Sequence, residues 1–127
     1  MSSNESFSAP GGDEAAPPVV SVIMPHYNDL DNLRLCLDRL ARQTLPRDRY
    51  EIVVADNNSR CGLAAVAEVC GDRARAVPAP IQGAGEARNA AVAEARGAAL
   101  AFIDSDCRPE RDWLGELLEG IALENII

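Results

Sequence analysis

The sequence predicts an α/β domain built on a mostly parallel sheet flanked by helices. Three observations carry that expectation. Short apolar runs, at residues 19–25, 50–56 and 98–104, alternate with longer segments whose apolar residues recur at helical spacing. The runs are nearly continuous, as in strands covered on both faces. The richest clusters of Asp and Asn follow these runs directly, where ligands gather at the carboxyl ends of parallel strands.

Taken in order, "VVSVIMP" is the first buried strand. In "NDLDNLRLCLDRLARQ", Leu30, Leu33, Leu37 and Leu40 form one helical stripe, with Arg34, Asp38 and Arg42 at i,i+4 steps on the far side. "YEIVVAD" is a second buried strand, and "GLAAVAEVCG" a second helix closed by Gly71. "RARAVPAP" is at best a short edge strand, because its prolines cannot donate to a ladder. "GEARNAAVAEARG" is an Ala-rich helix ending at Gly97, "AALAFID" a third buried strand, and "RDWLGELLEGIAL" a last helix with Pro109 ahead of it.

At 127 residues the chain holds one domain. Residues 1–18 lack apolar periodicity and read as a disordered tail, leaving 19–127 as the folded part. The tail has neither the basic start nor the apolar run of a signal peptide, and no later stretch reaches membrane-spanning length. The expected location is the cytoplasm, with the inner face of a membrane equally compatible. A net charge of −8 without a basic stripe argues against a nucleic-acid partner. The four cysteines, Cys36, Cys61, Cys70 and Cys107, show no metal-finger spacing and read as reduced, mostly buried thiols. The end, "LENII", has no cap or polar tail and reads as a fragment cut before its next strand, with a frayed natural terminus as the plainer alternative.

The chemistry concentrates in "FIDSDCRPE". In an extended chain Asp104 and Asp106 point to the same side, where like charges repel unless something opposes them. A divalent cation such as Mg²⁺ or Mn²⁺ does so, since it takes one or two carboxylates and leaves positions open for a diphosphate. The plainer reading is a solvated Asp-Ser-Asp turn. A dinucleotide fold competes as well, because "GAGEAR" from Gly83 imitates G-x-G-x-x-G, with Asp104 about twenty residues on. Against it, the third glycine position holds Arg88, the lead-in carries two prolines, and Asp106 has no task in ribose binding.

Four segments, "VSVIMPHYND", "EIVVADNNS", "GAGEARNAAV" and "LAFIDSDCRPERDWL", occur in an order and spacing that resemble the nucleotide-sugar half of family 2 glycosyltransferases, the inverting GT-A group. The resemblance implies a Rossmann-like GT-A fold, here apparently truncated after its D-x-D motif. It implies that Pro25, Tyr27 and Asn28 frame the nucleobase, with His26 in a variable slot as a bystander or base contact rather than a catalyst. Asp56 takes the place of an acid that hydrogen-bonds the base, usually uracil, with Asn57 beside it. Asn58 replaces the usual glycine and tolerates the same left-handed backbone. Gly83, Ala87, Arg88 and Asn89 match G-x-x-x-A-R-N, where Arg88 either contacts ribose and diphosphate or pairs with an acid such as Asp104. Asp106 is implied as the direct metal ligand. Asp104 is implied to contact ribose, or the metal through water, with Ser105 between the two acids. Pro109 and Trp113 match the segment that follows, Trp113 as packing.

The implied reaction transfers a sugar from a nucleoside diphosphate, UDP ahead of GDP or TDP, to an acceptor hydroxyl with inversion, in polysaccharide or cell-envelope biosynthesis. The acceptor, whether saccharide, lipid-linked or protein, is not legible. Family members carry the general base beyond the D-x-D, so it is expected past Ile127. Glu110 and Glu116 are not assigned to that role. The alternative is a non-catalytic nucleotide-sugar-binding or interaction module.

Overall fold

The computed structural model describes residues 16–126, so most of the expected tail lies outside the described residues. Strands β1 (Val20–His26), β2 (Tyr50–Asp56), β3 (Arg75–Pro78) and β4 (Ala99–Phe102) form one parallel sheet in the order β3-β2-β1-β4. Helices α1 (Leu30–Leu40), α2 (Leu63–Cys70), α3 (Ala84–Ala93) and α4 (Trp113–Ile126) join and follow them. The chain steps outward from β1 to β3, then returns past β1 to β4. Right-handed crossovers therefore place α3 on the face opposite α1 and α2.

The two apolar layers follow from the period-2 alternation of the strands. On one face Val22, Met24, Ile52 and Val54 pack against Leu33, Leu37 and Leu40 of α1, Val66 of α2 and Leu114 of α4. Each fully buried leucine there contributes about 1.5–3 kcal/mol by leaving water. On the other face Ile23, Val53 and Ala55 meet Ala87 and Ala91, whose small side chains let α3 lie close to the sheet. α3 covers β1 and β2 but stops short of β4. Leu100 and Phe102 on that face of β4 are 38% and 51% exposed, which corrects the reading of this run as a strand buried on both faces.

A short 3-10 turn at Arg47–Arg49, not foreseen, feeds β2. Arg47 holds it, stacking over the Tyr50 ring at 4.8 Å and donating to the carbonyls of Tyr50 and Arg73, each at 2.6 Å. The Tyr50 hydroxyl donates to Leu40 O at 2.6 Å and so caps the end of α1 from within the core. Asp38 pairs with Arg73 from the turn after α2, not with its i,i+4 neighbours, because that turn packs over its side of α1.

At the amino ends of the strands Glu51 organises the α3–β4 turn. Its carboxylate accepts from Ser21 Oγ at 2.5 Å, Arg96 N at 2.6 Å and Arg75 Nη2 at 2.9 Å. Burial pushes its pKa up, but these donors outweigh burial and hold it below the usual 4.5. Gly97 does not end the helix, which stops at Ala93. It is required because a Cβ there would lie 2.8 Å from the backbone of Val20 and Ser21. Of the cysteines, Cys36 and Cys70 are buried and Cys61 and Cys107 exposed, none of them bonded, so half rather than most are buried.

Candidate functional site

The register decides what meets at the carboxyl rim. His26 lies opposite Asp56, and Asp56 opposite Pro78, so β1, β2 and β3 end level and their loops lie side by side. β4 ends opposite Ile23, short of that rim. Its continuation makes one more ladder bond, Ile103 N to Ile23 O at 3.1 Å, and then carries the acid loop across the strand ends.

These loops enclose a cleft of about 400 Å³. Pro25, Tyr27 and Asp29 bound it from β1, Asn57 from β2, Gln82 to Ala84 and Ala87 from the start of α3, and Asp104, Ser105 and Asp106 from β4. Seven of the residues expected at a site thus share one cavity: Pro25, Tyr27, Asn57, Gly83, Asp104, Ser105 and Asp106. Tyr27 is 52% exposed and presents an aromatic surface at the mouth. Gly83, with φ 130°, turns the chain into α3 and brings the positive end of the helix dipole to the wall.

Asn28, Asp56 and Arg88 do not line this cleft. Asn28 adopts a left-handed φ of 51° and faces the β2 loop, where its N–H donates to Ser59 Oγ and its Oδ1 accepts from Arg60 N, both at 2.8 Å. Asp56 is 4% exposed and turns its carboxylate inward. Oδ1 accepts from His26 Nδ1 at 3.0 Å and Ser59 Oγ at 2.6 Å, and Oδ2 accepts from Ser59 N at 3.2 Å. Arg88 approaches Asp104, Nη2 to Oδ1 at 3.6 Å, from a second cavity of about 590 Å³ on the far side of the acid loop. Arg88 thus lies within ion-pair range of Asp104 and outside the lining of the first cleft. Trp113 is half-buried against the core, as a seat for α4.

Asn57 forms the cleft's inner wall and is tied on every side. Its Nδ2 donates to Ala79 O and Ile81 O, both at 2.8 Å. Its Oδ1 accepts from Gly83 N at 2.8 Å and Gln82 Nε2 at 3.1 Å. This carboxamide thus reaches four residues of the β3–α3 connection, and Asn58 Nδ2 adds a bond to Pro80 O at 2.9 Å. Asn58, at φ 68°, takes the left-handed backbone its sequence position called for.

Asp29, Gln82 and Ala84 were not anticipated. Asp29 and Ala84 lie inside the quoted segments and Gln82 just ahead of one, none with an assigned role, and only the closeness of the loops reveals them. Asp104 is 61% exposed and Asp106 also faces solvent, so both carboxylates stand hydrated and open. Such a pair fits a hard cation that keeps several ligand positions for water or phosphate. Among the described residues no cluster of three or more His, Cys, Asp or Glu converges. No described helix is long and apolar enough to cross a membrane.

Comparison with known proteins agrees with this architecture. The chain is 39% identical over 101 residues to the glycosyltransferase AglE of Haloferax volcanii, covering 76% of this chain and 33% of that protein. It is 34% identical over 104 residues to the putative glycosyltransferase EpsH of Bacillus subtilis, covering 80% and 30%. The chain therefore spans about a third of the length of these relatives. Among solved structures, TarS 1-349 of Staphylococcus aureus in complex with UDP-GlcNAc superposes with a TM-score of 0.71 at 28% identity, covering 81% of this chain and 31% of that one. The mannosyltransferase PcManGT of Pyrobaculum calidifontis, in complex with GDP-Man and Mn²⁺, superposes with a TM-score of 0.70 at 32% identity, covering 82% and 32%. The fold is thus GT-A, and the Gly83 loop opens its third helix rather than a dinucleotide site. The family model described as Glycosyl transferase family 2 matches residues 21–126, and the chain belongs to that family.

Proposed function

We propose that this chain forms the nucleotide-sugar side of a glycosyltransferase that moves a sugar from a nucleoside diphosphate to an acceptor hydroxyl with inversion, using Mg²⁺ or Mn²⁺. The observation that carries the reading is the convergence of Asp104, Ser105 and Asp106 on the amino end of α3 in one cleft with Tyr27 and Asn57. The nucleotide-sugar complexes of TarS and PcManGT, and the Mn²⁺ of the latter, support it.

On this reading Tyr27 offers its ring to the base, and Asn57, Gln82 and Gly83 bound the base and ribose. The amino end of α3 faces the diphosphate, where its dipole and N–H groups favour negative charge. Asp106, with Asp104 beside it, would hold the cation. A divalent ion there offsets the charge that builds on the departing diphosphate. Arg88 holds Asp104 in place from behind. Asp56, turned into the protein, serves by fixing its loop. Deprotonation of the acceptor hydroxyl calls for a general base, and we assign none of the described carboxylates to it.

Calorimetric titration of UDP and of GDP, each with and without Mn²⁺, tests the reading, with Asp106→Asn as control. The expected result is metal-dependent binding of one nucleotide that weakens at least about tenfold in the variant, the loss of one charged contact. A folded chain that binds neither nucleotide overturns it. Binding with full metal dependence in Asp106→Asn removes Asp106 from the assignment.

A further inference from the structure

His26 is the one histidine of the chain, and its side chain is 0% exposed. It borders the cleft, but only backbone atoms account for the 2% exposure of the residue. The imidazole is therefore shielded from the solvent that fills the cleft.

Its two nitrogens are both engaged. Nδ1 lies 3.0 Å from Asp56 Oδ1, and Nε2 lies 3.1 Å from the backbone N of Asp29. A backbone N–H can only donate, so Nε2 is the acceptor and carries no proton. A neutral ring then keeps its single proton on Nδ1 and donates it to Asp56. A doubly protonated ring would set an N–H against the Asp29 N–H. The neighbours thus select the Nδ1–H tautomer of the neutral ring.

Ser59 completes the arrangement. Its hydroxyl donates to Asp56 Oδ1 and accepts from Asn28 N. Two consecutive amides of the β1 turn, Asn28 and Asp29, are thereby wired to one buried carboxylate, the first through a hydroxyl and the second through the imidazole. The turn needs such anchors, because Asn28 holds a left-handed backbone and precedes Asp29, which starts α1 without a side-chain cap. Tyr27 and Asp29, both on the cleft, flank the anchored amides.

We propose that His26 is a positioning residue, a neutral Nδ1–H latch that fixes the Tyr27–Asp29 turn against the β2 loop. Its consequence for ligand affinity rests on the nucleotide-sugar reading, whereas the latch itself is measured without a nucleotide.

The test uses the full chain labelled with ¹⁵N. The ring nitrogen shifts report the tautomer, and amide exchange is followed at Asn28, Asp29 and Ser59. His26→Asn places Nδ2 near the position of Nδ1 and keeps a donor for Asp56, but leaves the Asp29 N–H without an acceptor. His26→Gln places Oε1 near Nε2 and does the reverse. The expected results are a neutral Nδ1–H ring in the parent and Asp29 exchange about fivefold to tenfold faster in His26→Asn, the loss of one hydrogen bond. His26→Gln should protect Asp29 again, a selective rescue that general destabilisation would not produce. UDP affinity should fall in His26→Asn and recover in part in His26→Gln. An Nε2–H or charged ring in the parent overturns the proposal, as does equal Asp29 exchange in the two variants. If the parent shows the expected tautomer and exchange but binds no nucleotide, the latch stands and the proposed function falls.

Discussion

Asn57→Asp tests how the cleft wall is held, because it changes chemistry without changing shape. The substitution keeps the acceptor facing Gly83 N and Gln82 Nε2 but removes both donors, to Ala79 O and Ile81 O. Two neutral hydrogen bonds are worth about 1 kcal/mol each. The Ala79 carbonyl belongs to a residue only 2% exposed, so water replaces the lost partner poorly. An oxygen now faces two carbonyl oxygens from 2.8 Å, and the destabilisation totals about 3 kcal/mol with the new carboxyl ionised. For a domain of this size that lowers Tm by roughly 12–20 °C.

The same geometry fixes a pH signature. The protonated acid can donate one hydrogen bond, so the folded state favours the neutral form and its pKa rises above the unfolded value of about 3.9. Folding then takes up a proton, and the gap between variant and parent widens as pH rises through the folded pKa. Urea melts of both proteins at pH 5 and pH 8 measure this. A variant within about 0.5 kcal/mol of the parent at pH 8, or a gap that narrows from pH 5 to pH 8, would refute the wall as described.

Two further outcomes are expected. Glu51→Gln should cost about 1–3 kcal/mol at pH 7, where the carboxylate accepts three donors. Because its folded pKa lies below 4.5, that contribution is present above pH 4.5 and is lost as pH falls through the folded value. Melts of parent and variant should therefore draw together as pH falls below 4.5, and a gap that stays constant would count against the network. Native alkylation at pH 8 should modify Cys61 and Cys107 and spare Cys36 and Cys70, which are 0% exposed with thiols pushed up to about 11 by burial. Intact-mass spectra should show two adducts in buffer and four in denaturant. Four adducts in buffer would contradict the packing of α1 and α2.

The elements were legible wherever periodicity was strong. The leucine stripe of α1, the two long strands and the start of the Ala-rich α3 stand where the sequence placed them. What periodicity cannot carry is coverage. The run at Ala99–Phe102 looks like any buried strand until α3 is seen to lie over β1, β2 and part of β3, leaving Leu100 and Phe102 of β4 uncovered. Gly97 resembled a helix stop, yet the reason for glycine is the backbone of β1, a contact made across the sheet. The site shows the same division. The D-x-D, Gly83 and Tyr27 are visible as motifs, whereas the direction in which a carboxylate points is not. Asp56 and Asn57 are neighbours of similar shape, and only the register of β1 against β2 turns the first onto His26 and leaves the second on the wall.

The strand order also sets the sequence in which the cleft is assembled. β1, β2 and β3 pair with near neighbours in the chain, but β4 closes onto β1 by joining Ala99 to Val20 across most of the polypeptide, through a ladder of four register pairs. Long-range closure of this kind is slow to form, because the chain between the paired strands must be gathered first. The placement of Asp104 and Asp106 on the cleft rests on that one distant pairing, whereas the Tyr27 and Asn57 walls rest on the pairing of β1 with β2.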